Sequence, residues 1–476
     1  MPDLRAAALI AQLGDLIGAQ YVLTGDATDA YACDWADVHQ GRPLAVVRPA
    51  DTAQVSAIVM LANETGTPVV PYSGNTGLAG GTAARGAILM SLDRMSAIRE
   101  VRADARVAVV EAGAILATIQ DAAEAHDLIF PLFFGARGSA MIGGALSTNA
   151  GGSNVLRYGN ARDLCLGLEA VLPTGQIVDV MSQLHKDNSG YNLKHLLIGA
   201  EGTLGIITAA VVRLFPKPRA YATAMVAMPS VGAALTLLNR LQTETGGAVE
   251  AFEYMPRGFI DAYLKCFPDA RPPFDERYDV NILVEVGAVA PREATPGPDG
   301  AVPITAHLEA ALGEMFDSGA ILDAVVAQND AQRTEMWARR EAAAEVSRLH
   351  SPIVDNDIAV PLDRMQDLLD QIDAILARLD PQAHNNSVAH LGDGNLHFAA
   401  WPSTPDVSVH HAIHEAVEQA AIALGGSFSA EHGIGLVKKG SMRKHKDPGA
   451  LAAMRAIKTA LDPNGILNPD KVLPDL

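Results

Sequence analysis

The chain has 476 residues, which is too long for one ordinary hydrophobic core and predicts two or three domains. Hydrophobic residues make up 49% of it and charged residues 19%, a mix typical of a globular enzyme rather than a disordered chain. The formal net charge of −19 argues against nucleic acid as a partner, although a few local arginines can still form a pocket for a small anion.

Cysteine usage and hydropathy indicate the compartment. Cys33, Cys165 and Cys266 lie far apart without CxxC spacing, which favours a reducing compartment and no structural disulfide. The N-terminal stretch lacks the apolar core and cleavage site of a signal peptide, and no apolar run approaches the ~18 residues that span a bilayer. We therefore expect a cytoplasmic protein, and peripheral contact with the inner membrane stays open.

Strand and helix patterns alternate along the chain. Before residue 217 they predict strands over 44–48, 68–71, 87–91 and 106–110, a helix over 51–63 with Asp51 as N-cap, and a hairpin over 164–180 that turns at Pro173–Gly175. Beyond Pro216-Lys217-Pro218 they predict strands over 224–228 and 280–286, helices over 330–349 and 362–379, and an exposed Pro- and Gly-rich loop over 289–303. The resulting division is a first domain over 1–217, an α+β domain over 218–427 and a C-terminal segment over 428–476.

Two glycine-rich loops lie in the first domain. Residues 71–81 leave a predicted strand, and their closely spaced glycines let successive N–H groups turn toward one anion. The loop is neither a Walker loop nor a GxGxxG that opens a helix, and by itself it indicates only a turn. Residues 135–159 form a second dense loop with paired glycines and polar side chains, and residues 199–208 add a third stretch. Together they predict a large phosphate-bearing cofactor.

These three stretches resemble the FAD domain of the vanillyl-alcohol oxidase/p-cresol methylhydroxylase superfamily. Residues 188–193 (NSGYNL) and 198–205 (IGAEGTLG) resemble its D-lactate/glycolate-oxidase-like branch. The resemblance implies an α+β fold: a two-subdomain FAD-binding domain of the p-cresol methylhydroxylase type plus an α+β substrate (cap) domain. Because residues 73–81 contain neither His nor Cys, we expect noncovalent FAD. The FAD-binding residues it implies are Ser73, Gly74, Asn75, Thr76, Gly77, Leu78, Gly138, Ser139, Gly143, Gly144, Asn149, Gly151, Gly152, Glu201, Gly205, Ile207 and Asn468.

A second informative region contains histidines and a carboxylate. In HLGDGNLH (390–397) two glycines predict a tight bend between the histidines, and AEHGIG (430–435) follows later. Two histidines and a carboxylate can hold a divalent metal, but the spacing alone does not favour one. In a regular strand Glu431 and His432 would face opposite ways, and Gly433 and Gly435 allow an irregular segment instead.

Both motifs resemble the substrate domain of FAD-dependent D-2-hydroxyglutarate dehydrogenases and D-lactate dehydrogenases. The resemblance implies that zinc or manganese binds the set His390, His397 and Glu431. It further implies His432 as catalytic base and Asn395 as a contact of substrate or flavin. Arg340, in residues 337–341 (WARRE), matches the substrate-binding arginine, and we expect at least one of Arg339 and Arg340 to be solvated.

The expected activity is oxidation of a D-2-hydroxy acid, D-2-hydroxyglutarate or D-lactate, by metal-assisted hydride transfer to flavin N5. Ala344 and Asp355 stand where D-2-hydroxyglutarate dehydrogenases often have Thr and Lys. A grip on a second substrate carboxylate is then missing or comes from elsewhere, which favours a monocarboxylate such as D-lactate. Two alternatives stay open: a non-redox transferase resembling alkylglycerone-phosphate synthase, and a flavin-binding subunit of a glycolate-oxidase-like complex. The electron acceptor is equally open between quinone, electron-transferring flavoprotein and a partner subunit, and the family suggests a homodimer.

Overall fold

The computed structural model describes residues 2–35 and 40–475. Its helices are α1 (Pro2–Ile17), α2 (Thr52–Thr65), α3 (Leu116–Glu124), α4 (Ile142–Thr148), α5 (Val155–Tyr158), α6 (Ala161–Leu164), α7 (Leu193–Leu197), α8 (Val231–Glu244), α9 (Arg257–Cys266), α10 (Pro291–Ala294), α11 (Pro303–Asp317), α12 (Asp330–Glu341), α13 (Ala343–Ser347), α14 (Met365–Leu379), α15 (Val407–Ala423), α16 (Lys439–His445) and α17 (Pro448–Leu461). Its strands are β1 (Val22–Leu23), β2 (Ala45–Val47), β3 (Val69–Tyr72), β4 (Ile88–Ser91), β5 (Ile98–Arg102), β6 (Val107–Glu111), β7 (Leu128–Ile129), β8 (Cys165–Val171), β9 (Ile177–Val180), β10 (Ile206–Arg213), β11 (Phe215–Pro216), β12 (Ala220–Met228), β13 (Val249–Pro256), β14 (Val280–Ala288), β15 (Asp323–Val326), β16 (Val354–Ala359), β17 (His384–Asn385), β18 (Val388–His390) and β19 (Asn395–Trp401). Short 3₁₀ turns lie at Ala19–Tyr21, Gly25–Tyr31 and Leu362–Arg364.

The chain divides into two compact units. The first comprises Met1–Gly151, Gly159–Pro216 and Glu431–Leu476, and the second comprises Gly152–Tyr158 and Lys217–Ala430. The short excursion Gly152–Tyr158 thus belongs with the second unit. Among the described residues, no helix combines the length and apolar composition needed to cross a bilayer.

The first unit contains a small, mostly parallel sheet with the strand order β1-β2-β4-β3. Strands β2 and β4 consist of buried residues, as expected of parallel strands covered on both faces. The carboxylate of Asp51 accepts the N–H of Gln54 at 2.8 Å and begins α2, so the predicted N-cap is confirmed.

A five-stranded antiparallel sheet completes the first unit, with the order β5-β6-β10-β8-β9. The predicted hairpin over 164–180 is its β8–β9 pair. The turn is closed by the N–H of Gly175, which donates to the carbonyl of Leu172 at 2.8 Å. The turn signal in the sequence was therefore sufficient to locate this hairpin.

The second unit is built on an eight-stranded sheet with the order β15-β12-β14-β13-β18-β19-β16, and β17 also pairs with β19. Its pairs are antiparallel. Alternate residues of each strand face opposite sides. One face packs against α8, α11, α14 and α15, and the other against α9, α12 and α13.

Two predicted elements differ from the observed ones. The helix predicted over 330–349 is two helices, which meet at Ala342, where ψ is 3°; Val346 of the second and Met336 of the first lie in the same core. The loop predicted over 289–303 contains the short α10, whose first turn starts at Pro291, a residue with a φ angle already suited to a helix.

Candidate active site

The first two glycine-rich loops meet in the first unit. A Cβ on Gly74 would lie 2.1 Å from the carbonyl oxygen of Ser139, so only glycine permits this approach of the two backbones. Asn75 adopts a φ of +50° and is held by its Nδ2, which donates to the carbonyl of Cys33 at 3.1 Å. The hydroxyl of Thr82 donates to Asn75 Oδ1 at 2.9 Å. The loop is thus fixed by its own side chains.

The backbone N–H groups of this loop are available to an anion. Within residues 2–35 and 40–475, no acceptor takes the N–H groups of residues 74–77. A Cβ at Gly77 or Gly138 would meet no atom within 4 Å, so both positions border open space. Successive N–H groups that share a concave turn bind phosphate oxygens. The predicted residues therefore fit a diphosphate such as that of FAD.

The C-terminal segment reaches the same loop region within the first unit. Asn468 Nδ2 donates to the carbonyl of Glu201 at 2.7 Å and to that of Gly81 at 3.2 Å. Its Oδ1 is buried, and among the described residues it has no hydrogen-bond donor. Lys471 donates its Nζ to the carbonyls of Ala83 and Pro469. Asn468 therefore presents an acceptor without a partner among the described residues, whereas Lys471 stabilises the backbone around the loop.

Glu201 holds the segment that follows His432. Its carboxylate accepts the N–H groups of Ile434 at 2.7 Å and Gly435 at 2.9 Å. Burial raises the pKa of Glu201, although these two N–H groups act in the opposite direction. A Cβ on Gly435 would lie 2.0 Å from the carbonyl oxygen of Ala79, so this segment lies directly against the first loop. Residues 430–434 form neither helix nor strand, as the glycines predict.

The other residues implied for FAD lie mostly around the same loops. Gly143 and Gly144 are in α4, where a Cβ on Gly144 would lie 3.1 Å from that of Ser73. Asn149 caps α4 with a φ of +53°, and its Oδ1 accepts the N–H of Arg162. Gly151 closes one segment of the first unit, Gly152 opens the excursion in the second, Gly205 precedes β10, and Ile207 lies within it.

The register of the large sheet aligns four polar side chains. Glu253 pairs with His390, and Asp357 pairs with His397, in the consecutive strands β13, β18, β19 and β16. The predicted bend is the turn Leu391–Gly394 between β18 and β19. It places the two imidazoles on one face with centroids 5.2 Å apart and ligand nitrogens within 4.8 Å of each other.

Asn395 is oriented by its neighbours on this face. Its Nδ2 donates to Asp357 Oδ1 at 3.1 Å and to the carbonyl of Ile358 at 3.0 Å. Its buried Oδ1 has no donor among the described residues. His397 Nδ1 lies 3.8 Å from Asp357 Oδ1. The face therefore presents an amide oxygen beside two imidazoles and a carboxylate.

Helix α12 brings an arginine to the same face. Arg333, Trp337 and Arg340 recur with helical spacing and share one side of α12. The Nε of Arg340 lies 2.7 Å from Glu253 Oε2, and its Nη2 lies 3.3 Å from His390 Nε2. Burial acts to raise the pKa of Glu253, but His390 and Arg340 outweigh it and hold that pKa below the usual range.

The expectation that one arginine of this pair is solvated was wrong. Arg339 and Arg340 are both buried, with 3% and 7% of their surface exposed. Arg339 faces away from the site and donates to the carbonyl of Arg271 at 2.8 Å and to Glu335 at 3.0 Å. Adjacent residues of a helix do face different ways, but here both side chains are buried against other parts of the protein.

Three carboxylates in the second unit were missed from the sequence: Glu253, Glu285 and Asp357. Each is buried, and Glu253 and Glu285 lie in strands that are otherwise largely apolar. Acidic residues inside an apolar strand, as in VEAFEYM or VNILVEV, were the available signal. Asp357 lies in the half-polar strand VDNDIA, which offered no such signal. A buried carboxylate requires a partner, so such a residue predicts a polar site.

The donor set on this face fits a divalent cation. Two imidazole nitrogens with a nearby carboxylate suit zinc or manganese, and a metal bound by few protein ligands keeps positions for substrate. Glu431 and His432 belong to the first unit. Glu431 follows Ala430 directly, and the N–H of Ala430 donates to the carbonyl of Asp357 at 3.2 Å.

Comparisons with known proteins support an FAD-binding domain. The model of the FAD binding domain matches residues 43–181, and that of the C-terminal domain of FAD linked oxidases matches residues 217–472. The D-2-hydroxyglutarate dehydrogenase of Xanthomonas citri pv. viticola is 34% identical over 93% of this chain and 92% of its own length. The mitochondrial D-2-hydroxyglutarate dehydrogenase of Bos taurus is 35% identical over 93% of this chain and 79% of its own.

Solved structures share the fold. p-Cresol methylhydroxylase matches with a TM-score of 0.76 at 14% identity, over 98% of this chain and 97% of its own. Alkyldihydroxyacetonephosphate synthase matches with a TM-score of 0.73 at 17% identity, over 98% of this chain and 86% of its own. These likenesses concern the fold alone, and they confirm the expected α+β class with an FAD-binding domain of the p-cresol methylhydroxylase type.

Proposed function

We propose, because the chain belongs to the family of FAD-linked oxidases, that it oxidises a D-2-hydroxy acid to the matching 2-oxo acid. The observation that carries this proposal is the alignment of Arg340, His390 and His397 on one face of the large sheet. A cation-binding pair beside a guanidinium suits a substrate whose hydroxyl and carboxylate are neighbours. The two curated relatives carry the name of an enzyme for such a substrate.

FAD binds to the first unit in this proposal. The N–H groups of residues 74–77 hold its diphosphate, and Asn468 Oδ1 accepts a hydrogen bond from the flavin. The attachment is noncovalent, since residues 73–81 contain no His or Cys. When bound, FAD supplies N5 as the hydride acceptor.

A divalent cation, zinc or manganese, is held by His390, His397 and Glu431. Support for Glu431 comes from its neighbour Ala430, whose N–H pairs with the backbone of Asp357 on the site face. The cation supplies a Lewis acid that lowers the pKa of the substrate hydroxyl.

The side chains of the protein position the substrate and move its proton. Arg340 binds the carboxylate through its two Nη groups, since its Nε lies in an ion pair 2.7 Å from Glu253 Oε2. Asn395 directs its Oδ1 toward the substrate hydroxyl. His432, as a neutral imidazole, takes the hydroxyl proton at a ring nitrogen while the C2 hydride departs.

D-2-Hydroxyglutarate is the first candidate substrate, because the relatives bear its name. D-Lactate is the second, and a specific observation favours it. Asp355 is exposed and lies two residues before Asp357, on the same side of β16. A carboxylate at this position repels a second substrate carboxylate.

The test is anaerobic flavin bleaching of the purified protein by D- and L-lactate and by D- and L-2-hydroxyglutarate, before and after chelation. Bleaching by one D-acid, lost on chelation and restored by zinc or manganese, is the expected result. A yellow protein that none of these acids bleaches would contradict the proposal and favour the transferase alternative. The match to alkyldihydroxyacetonephosphate synthase extends to the fold and gives that alternative no site chemistry.

The electron acceptor, the cellular location and the oligomeric state are proposed from the family resemblance and the sequence. We propose a cytoplasmic homodimer that passes electrons to a quinone, an electron-transferring flavoprotein or a partner subunit. Turnover of the isolated chain with an artificial dye as acceptor would exclude a role limited to a flavin-binding subunit. Light scattering measures the oligomeric state, and lipid flotation measures peripheral membrane contact.

A further inference from the structure

We propose that Glu253 is a positioning residue that aligns His390 for the cation and Arg340 for the substrate carboxylate. The inference rests on the proposed function, because it assigns a task to a side chain that touches neither ligand. Glu253 lies in β13 with 1% of its surface exposed. Its carboxylate contacts both residues at once, within one unit of the protein.

The contact with His390 decides which ring nitrogen can bind a metal. Nδ1 of His390 lies 2.9 Å from Oε1 and 2.8 Å from Oε2 of Glu253. An ionised carboxylate only accepts hydrogen bonds, so Nδ1 carries the proton, and a neutral ring keeps its lone pair on Nε2. Metal-binding histidines characteristically donate their second N–H to such a partner, which fixes the tautomer and the ring plane.

The contact with Arg340 decides where its guanidinium points. Nε of Arg340 lies 2.7 Å from Glu253 Oε2. The guanidinium is planar and rigid, so this ion pair limits where both Nη groups can lie. Nη2 lies 3.3 Å from His390 Nε2 and 3.4 Å from its Nδ1, so the group that would bind the carboxylate borders the imidazole that would bind the cation. One carboxylate therefore sets the relative position of two functional groups.

The same helix and sheet provide a matched control. Glu285 in β14 faces the same side of the sheet and is buried, with 3% of its surface exposed. It accepts two hydrogen bonds of 2.7 Å from Arg333, which precedes Arg340 on the same side of α12. Its other partners are Trp337 and Thr223, not His390 or Arg340. Both positions are therefore buried acid–arginine pairs that join α12 to the sheet, and only one touches the site.

The experiment compares Glu253→Gln with Glu285→Gln as FAD-loaded full-length protein. Zinc and manganese affinities are measured by competition with a chromophoric chelator, and kcat and KM with the D-acid that bleaches the unmodified enzyme. We expect Glu253→Gln to weaken metal binding roughly 10- to 100-fold and to raise KM by a similar factor. Glu285→Gln should keep its metal affinity and its KM within about twofold of the unmodified protein. This should hold even if its melting temperature falls as much as that of Glu253→Gln.

Glu253→Asp is the second variant and serves if Glu253→Gln does not fold. It keeps the charge, and we expect it to recover part of the metal affinity. Unchanged metal affinity in Glu253→Gln, or equal losses in the Gln variants at 253 and 285, would overturn the inference while leaving the proposed function standing. If the unmodified protein binds neither metal, the metal site of the proposed function fails and this inference fails with it.

Discussion

Asn395 donates its Nδ2 to Asp357 Oδ1 at 3.1 Å, and this bond directs the amide oxygen of Asn395 away from Asp357. The oxygen is buried, and no donor among the described residues reaches it. A buried acceptor without a partner costs free energy, which a substrate hydroxyl would recover on binding. The proposed contact of Asn395 with the substrate rests on this acceptor.

The first prediction is that Asn395→Ala lowers kcat/KM for the D-acid by about 10- to 100-fold, the range expected when one hydrogen bond to a polar or charged group is lost. FAD content should not change. Asn356→Ala is the control, because Asn356 is buried in β16 but faces the opposite side of the sheet. The measurement is kcat/KM of both variants by steady-state kinetics. Equal losses in both variants would mean that the Asn395 effect is structural.

The second prediction concerns His432. Replacing it by Ala should slow flavin reduction about 10²- to 10⁴-fold, the usual contribution of a general base. The measurement is stopped-flow bleaching at saturating substrate, which isolates the chemical step from reoxidation. His411→Gln is the control, since His411 is exposed on α15. A rate within about threefold of the unmodified enzyme would remove His432 from the proton transfer.

The third prediction concerns metal removal. Dialysis against a chelator should abolish bleaching by the D-acid yet leave the visible flavin spectrum intact. The reason is that none of the proposed metal ligands His390, His397 and Glu431 is among the residues proposed to bind FAD. Added zinc or manganese should restore bleaching. Full activity of a protein shown by elemental analysis to be free of metal would contradict the prediction.

Local signals were enough to predict the elements that surround the site. The Asp51 cap, the β8–β9 hairpin and the bend between β18 and β19 each depend on a few consecutive residues. Short-range hydrogen bonds decide such features, and their signature is therefore present in the sequence. The same reasoning placed His390 and His397 near each other.

Long-range pairing could not be predicted in the same way. Glu253 reaches His390 only because β13 pairs with β18, and the two residues are 137 positions apart. Nothing near Glu253 in the sequence specifies that neighbour. The break at Ala342 was likewise not predicted, since the local sequence is compatible with a continuous helix.

The fourth prediction concerns a half-buried lysine in the first unit, Lys458. Lys458 Nζ donates to the carbonyls of Thr203 and Leu467, each at 2.8 Å, and to the carboxylate of Asp462. Burial lowers the pKa of Lys458, and Asp462 acts against that effect. Lys458→Met should cost about 3–5 kcal/mol in the free energy of unfolding, because it leaves Asp462 buried without its cation.

Urea denaturation measures this cost. Lys265→Met on α9 is the control, since Lys265 is exposed and its loss should change the free energy of unfolding by less than about 0.5 kcal/mol. Because Leu467 precedes Asn468, we also expect Lys458→Met to weaken FAD binding. A variant as stable as the control would show that Asp462 and the backbone carbonyls find other partners.

The fifth prediction concerns pH. Burial raises the pKa of the Cys165 thiol from 9.0 to about 12, although Lys194 and a hydrogen bond with the backbone of Gly167 act against this shift. The folded state therefore keeps its proton where the unfolded state has lost it. The contribution of this thiol to stability is complete below pH 9 and falls as the pH rises from 9 toward 12.

Two measurements check this sign. At pH 8, iodoacetamide should label the half-buried Cys266 while Cys165 reacts only after denaturation, as read by peptide mass spectrometry. Between pH 9 and about 11, the free energy of unfolding should fall more steeply in the unmodified protein than in Cys165→Ala, which has no thiol to ionise. Equal slopes, or labelling of both cysteines at the same rate in the folded protein, would show that the thiol is accessible and that burial does not control its ionisation.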